Sequence, residues 1–164
     1  REIAMARVST KENKNIYQLS REEAGMTRSQ ASEALVFMSD SRIEKIESEK
    51  CEPHPDEILA MAKAYKKPSL CNYYCSQECP IGQLYVPELK EKDLAQITLE
   101  MLSTINILSR QKDRLVEITV DGKITKDEMK DFLNIKSELD KMTVSIESLK
   151  LWIDQMNAEG KWVD

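Results

Sequence analysis

The chain has 164 residues, 41% hydrophobic and 32% charged, with a net charge of −5; that suits one domain or two small ones, and no run of about 18 apolar residues is present to cross a bilayer. Four glycines, five prolines, two phenylalanines and two tryptophans favour helix and argue against a β-sandwich. Residues 1–68 hold 12 basic and 12 acidic side chains and the rest hold 12 and 17, so neither half shows the basic excess of a strong non-specific nucleic-acid binder.

Residues 1–14 form a polar, charged lead-in without the apolar stretch of a signal peptide, so a cytoplasmic location is the default expectation. The segment 16–24, IYQLSREEA, predicts a first helix with Ile16, Leu19 and Ala24 toward a core and Gly25 just past its end. Residues 27–47 predict two short helices meeting at a tight turn. Thr27 and Gln30 have capping-box spacing, and Ala31, Ala34 and Leu35 mark an apolar face. Val36, Phe37 and Met38 give an apolar turn, and Ser39 caps the next helix. That helix points Ile43 and Ile46 inward and leaves Arg42 and Lys45 outside, beside Asp40, Glu44 and Glu47. A second helix carried on a small turn with polar groups outward has the form that enters a DNA major groove. Two helices of a small bundle with no nucleic-acid role would produce the same pattern. Residues 48–55 are a loop ending in Pro55, which suits the first position of a fourth helix, with Asp56 and Glu57 near its positive end. His54 fits a loop or cap position. Ile58, Leu59, Met61, Ala62 and Tyr65 give that helix its buried stripe, and Pro68 stops it. Ser69 is expected to cap a fifth short helix ended by Pro80 and Gly82.

The segments IYQLSREEAGMT, SRIEKIESEK and PHPDEILAMAKAYKKPSLCNYYCSQECPIG together resemble the Cro/repressor-type (XRE) helix-turn-helix regulators of bacteria and phage, most closely a bacterial subgroup with an LCxxYC…CPIG-type segment after the domain. The resemblance covers about residues 15–83. It implies a five-helix fold that binds double-stranded DNA in a sequence-specific way, usually as a dimer. Carried over by position, it implies Arg28, Ser29 and Gln30 near phosphate, with Asp40, Ser41, Arg42 and Lys45 on the recognition helix and base contacts from Ser41, Arg42 and Lys45. The turn departs from the pattern: it is one residue longer and has Val36–Phe37–Met38 where a glycine-containing turn is common. The recognition helix also carries acids that phosphate repels.

Cys71, Cys75 and Cys79 recur every four residues, which on one α-helix places them roughly along one face. With Cys51 and His54 in the preceding loop they allow three readings: reduced thiols packed as small apolar groups, a tetrahedral zinc set, or a redox cluster. No cofactor is the default expectation. With a single histidine, no glycine-rich phosphate loop and no dinucleotide fingerprint, an enzyme is not expected.

After a connector at 84–87, within the non-periodic run IGQLYVP, the pattern lengthens. Leu94, Met101, Leu108 and Leu115 recur every seven residues, widened by Ile97, Leu102, Ile105, Val116 and Ile118. Beyond a VDGKIT turn, Phe132, Ile135, Leu139, Met142, Ile146, Leu149, Ile153 and Met156 follow a 3-4 spacing. The expected architecture is all-α: a helix-turn-helix domain over 15–83, an antiparallel, coiled-coil-like hairpin over 88–158, and a tail over 159–164. The hairpin's stripe exceeds the needs of one partner, which points to pairing as a homodimer, the alternative being docking within the chain. Residues 117–128 overlay an EF-hand loop but lack most of its early acids, and an Asp-Gly helix stop with a Thr125–Glu128 cap explains the same residues without calcium. The functional expectation is a dimeric DNA-binding transcriptional regulator with no membrane partner. The alternatives are a protein-interaction adaptor on the same fold and a cysteine-based metal or redox sensor.

Overall fold

The computed structural model describes residues 13–162. Most of the expected 1–14 lead-in and the last two positions of the tail lie outside the described residues. Among the described residues all regular structure is helical. The chain divides into two compact units, one running to Glu88 and including Asp154 onward, the other Leu89–Ile153.

In the first unit, α1 (Ile16–Glu23), α2 (Arg28–Leu35), α3 (Asp40–Glu47) and α4 (Pro55–Ala64) surround one core. Their ends follow from local chemistry. Asn15 Oδ1 accepts from the Gln18 amide at 3.0 Å and starts α1. Gly25, at φ +69°, ends it, with the Gly25 amide donating to the Glu22 carbonyl at 2.9 Å and the Met26 amide to Arg21 at 3.1 Å. Thr27 and Gln30 form the expected reciprocal capping box on α2, and Ser39 Oγ accepts from the Arg42 amide to start α3. Pro55 occupies the first turn of α4. Ala31, Leu35, Met38, Ile43, Ile46, Ile58, Met61, Ala62, Tyr65 and Leu70 fill the core. Each fully buried aliphatic side chain there contributes roughly 1.5–3 kcal/mol by removal from water.

Several expected core positions face solvent instead. Leu19, Ala34 and Leu59 are exposed, and in the turn only Met38 is buried. The inward face of α1 is Tyr17, Gln18, Ser20 and Arg21. The α2–α3 turn is strained. Val36 has φ +59° and ψ −49°, and the Phe37 amide donates to the Leu35 carbonyl at 2.6 Å, a γ-turn that β-branched residues rarely adopt.

The cysteine-rich segment also differs from expectation. Helix α5 (Ser69–Tyr73) has Pro68, not Ser69, at its cap position. It continues as a π-helical turn, Tyr74–Glu78, where the Cys79 amide donates to the Tyr74 carbonyl at 2.9 Å. The supposed connector holds a further helical turn, α6 (Gly82–Tyr85), folded back on it. A Cβ at Gly82 would lie 1.8 Å from the Cys75 carbonyl oxygen, so only glycine fits this approach.

The second unit is the expected hairpin of α7 (Leu94–Thr119) and most of α8 (Met129–Glu159). Asp93 caps α7, and the Thr125–Glu128 cap precedes α8. Arg114 Nε ties α7 to Asp131 Oδ2 at 2.9 Å. The seam is only partly the one the apolar residues suggest: Met101, Leu108, Leu115, Phe132, Met142 and Leu149 are half-buried. Ile97, Ile118 and Ile135 are buried, but so are Thr104, Ser145 and Ser148. Leu94, Leu102, Ile105, Val116, Leu139, Ile146 and Ile153 are exposed.

Two substitutions test these backbone constraints. Val36→Gly relieves about 1–3 kcal/mol of strain at a cost of under about 1 kcal/mol in chain entropy. It should therefore raise stability by about 1 kcal/mol in denaturant unfolding; a loss would disprove the strain. Gly82→Ala should lower the melting temperature, because the clash is with backbone that cannot swing aside.

Candidate nucleic-acid interface

The helix-turn-helix is held by a buried ion cluster. Glu47 lies on the same face of α3 as Ile43 and is 1% exposed, not on the outer face where its charge would suggest. Arg21 of α1 donates to it through Nε at 2.5 Å and Nη2 at 3.0 Å, and Arg28 of α2 through Nε at 2.8 Å. Arg21 Nη1 also donates to the Met26 carbonyl at 2.6 Å. Burial alone would lower the Arg21 pKa, but the hydrogen bond and charge of Glu47 hold it above its ordinary value. Asn15 Nδ2 adds a bond to the Ile46 carbonyl at 2.8 Å, tying the end of α3 to the start of α1.

Arg42, expected to reach a base, is half-buried and engaged within the domain. Its Nε and Nη2 grip the two Glu57 oxygens at 2.7 Å each, Nη1 meets Cys51 Sγ at 2.8 Å, and Nη2 also donates to the Glu52 carbonyl at 3.0 Å. Glu57 accepts in addition from the His54 amide at 2.7 Å. The hydrogen bond from Arg42 holds the Glu57 carboxyl below the usual carboxylate range, against the opposing effect of burial. This bidentate pair fixes α3 to the start of α4 and leaves Arg42 poorly placed to leave for DNA.

What remains outward is small and mixed in charge. Ser29, Gln30, Asp40, Ser41, Glu44 and Lys45 are exposed. Gln30 spends its Oε1 on the Thr27 amide at 2.8 Å, which leaves its amide nitrogen outward. Arg28, with a side chain 39% exposed, uses Nε for Glu47 and keeps its terminal nitrogens without a partner among the described residues. Lys45 makes no ion pair among the described residues. Beside them the turn presents Val36 and Phe37, 89% and 61% exposed.

The cysteines do not converge. Among the described residues no three His, Cys, Asp or Glu side chains come together as metal ligands, and Cys51, Cys71, Cys75 and Cys79 are free thiols. The π-turn takes Cys79 out of α-helical register with Cys71 and Cys75. Cys51 and Cys71 pack at the edge of the core, and burial pushes the Cys71 thiol pKa up. The groups that sequence reasoning missed are Glu47 as an anchor and Glu57 as the clamp on Arg42. Glu47 is four residues beyond Ile43, so helical period pointed inward; the Arg42–Glu57 pairing across a loop left no periodic signal.

A helix-turn-helix family model matches residues 19–69, less than half of the chain, from within α1 to the first residue of α5. No curated protein and no solved structure matches the chain. The chain thus carries a helix-turn-helix domain.

Removing Glu47 strands a buried guanidinium, so Glu47→Ala should cost about 3–5 kcal/mol in denaturant unfolding, and a loss under about 1 kcal/mol would show the cluster to be dispensable. The Arg42–Glu57 pair should show in the pH dependence. A carboxyl with a lowered pKa adds stability above its unfolded value near about 4.3, lost as pH falls through the folded value. The stability difference between the parent and Glu57→Gln should therefore be full at neutral pH and shrink below about pH 4.

Proposed function

We propose that the chain is a sequence-specific DNA-binding transcriptional regulator of the XRE type that acts as a dimer. The observation that carries this is the capped α2–turn–α3 unit, braced by buried Glu47 and lying within the segment that the family model matches. In this reading α3 enters the major groove. Arg28, Ser29 and Gln30 meet phosphate, and Ser41 and Lys45 meet base edges, with Asp40 and Glu44 able to accept from cytosine or adenine amino groups. Arg42 serves the domain rather than the operator. Control is steric, by occupancy of the site.

The hairpin supplies the pairing. Heptad positions put Leu102, Ile105 and Val116 of α7 on one flank and Leu139, Ile146 and Ile153 of α8 on the matching flank. In an antiparallel hairpin these flanks share one side. Both rows are exposed, and the seam between the helices contains buried Thr104 and Ser145, so several large apolar side chains of the unit lack cover. Two such faces closing on each other make a four-helix bundle and bring two recognition helices to one operator. The exposed Val36 and Phe37 favour one other use of the domain, docking of a protein at the turn.

Selection from random-sequence DNA decides between these uses: the regulator enriches one site, the adaptor none. On the selected site Lys45→Ala should weaken binding by about 1–3 kcal/mol, and affinity should fall with salt. Arg42→Ala should lower stability more than operator selectivity. Leu139→Glu with Ile146→Glu should give a helical monomer in ultracentrifugation; a dimer that persists would place the pairing surface elsewhere.

A further inference from the structure

The other side of the hairpin is built differently. Between α7 and α8, away from the exposed apolar rows, lies a cleft of about 580 Å³, a size that suits a small organic molecule. Leu99, Ile107 and Val144 give it apolar walls, and Thr104, Glu138 and Ser145 give it polar ones. The most buried of these polar groups share one character, while Lys92, Ser103 and Lys141 stand nearer the rim. Thr104 and Ser145 donate their hydroxyl protons to the Glu100 and Lys141 carbonyls, at 2.9 and 3.1 Å, and so offer only lone pairs to the cleft. Glu138 accepts Lys141 Nζ on Oε1 at 2.7 Å, while its Oε2 is buried without a partner among the described residues.

An unmet carboxylate oxygen in such a place calls for a donor, preferably a charged one. Lys141 does not fill that role. Its side chain is 61% exposed against 14% for Glu138, so the pair is a surface contact of small worth that an entering cation can replace. At the rim Lys92 is already engaged by Glu100 at 2.5 Å.

We propose that this cleft binds a small molecule carrying a primary ammonium group on an apolar body. The ammonium donates to the Glu138 carboxylate and to the Thr104 and Ser145 oxygens, and the body lies on Leu99, Ile107 and Val144. A simple alkylamine and an apolar amino acid share this chemistry. The site lies beyond the DNA-binding function and binds whether or not that function holds, because its readout uses no DNA.

Isothermal titration of the full chain with n-hexylamine, norleucine and n-hexanol tests it. Binding of n-hexylamine alone identifies a simple amine site, and tighter binding of norleucine identifies an amino-acid site; either supports the proposal. Glu138→Gln should weaken the bound amine roughly tenfold or more, the scale of a charge-assisted hydrogen bond. Val144→Trp, which keeps the carboxylate and fills the cleft, should abolish binding while circular dichroism stays helical. Three results would each overturn the proposal: no heat with either amine, hexanol binding as well as the amines, or undiminished affinity in Glu138→Gln, which would mean that Glu138 is satisfied within the seam.

Discussion

One buried carboxylate sets the geometry of the first unit. Glu47 is out of water, and an unmatched ion there would cost several kcal/mol. It is matched only if α1 delivers Arg21 and α2 delivers Arg28 to the same end of α3. Arg21 must also reach the Met26 carbonyl, which stands just past the turn closed by Gly25. The end of α1, the start of α2 and the last turn of α3 are therefore fixed together. Apolar packing alone tolerates small slides between helices; a shared, hydrogen-bonded carboxylate does not. With the start of α2 tied to the end of α3, residues 36–39 close the remaining gap between them, and β-branched Val36 sits there at positive φ.

Arg42 and Glu57 apply the same device at the other end of α3. The two clamps use five charged side chains in and around α3, Arg21, Arg28, Arg42, Glu47 and Glu57, for architecture. This is why the composition of the first 68 residues, balanced in charge, says so little about its outer surface. Two arginines that look available in the sequence are wholly or partly spent inside.

The fold was legible where one local signal had no competitor. Thr27 with Gln30, Ser39, Pro55 and Gly25 each mark a helix end by backbone chemistry alone, and each does so in the structure. The core was less legible where residue identity and helical period disagreed. Leu19 is apolar but off the inward face, whereas Arg21 is charged and on it. Period was the better guide, because a long arginine buries safely once a carboxylate meets it. In α8 the 3-4 run of large apolar residues exists, but the hairpin turns Ser145 and Ser148 inward and leaves Leu139 and Ile146 outside. A stripe read from sequence cannot say which of its edges meets the neighbouring helix. The π-turn at Tyr74–Glu78 was not legible at all: it lies against Gly82, which approaches the Cys75 carbonyl, and such a contact leaves no periodic signal.

The candidate interface was legible in its place but not in its membership, and the difference bears on how it would discriminate. With Arg42 withdrawn, the exposed charges of α3 are Asp40, Glu44 and Lys45. On the proposed reading, a surface with so few cations would gain little from phosphate alone, and its affinity for arbitrary DNA would be low. Asp40 and Glu44 add to this: against phosphate or a guanine acceptor edge they are repelled, and only opposite an amino group do they gain a hydrogen bond. An acid-bearing recognition helix thus trades absolute affinity for the ratio between the right site and the many wrong ones, and that ratio is what operates in a genome. Such a helix works only if affinity comes from elsewhere. Two copies joined through the hairpin would add their site energies within one complex, which raises affinity without adding a cation to either face. On the proposed reading, the weak charge of α3 and the uncovered apolar rows of the hairpin would answer each other.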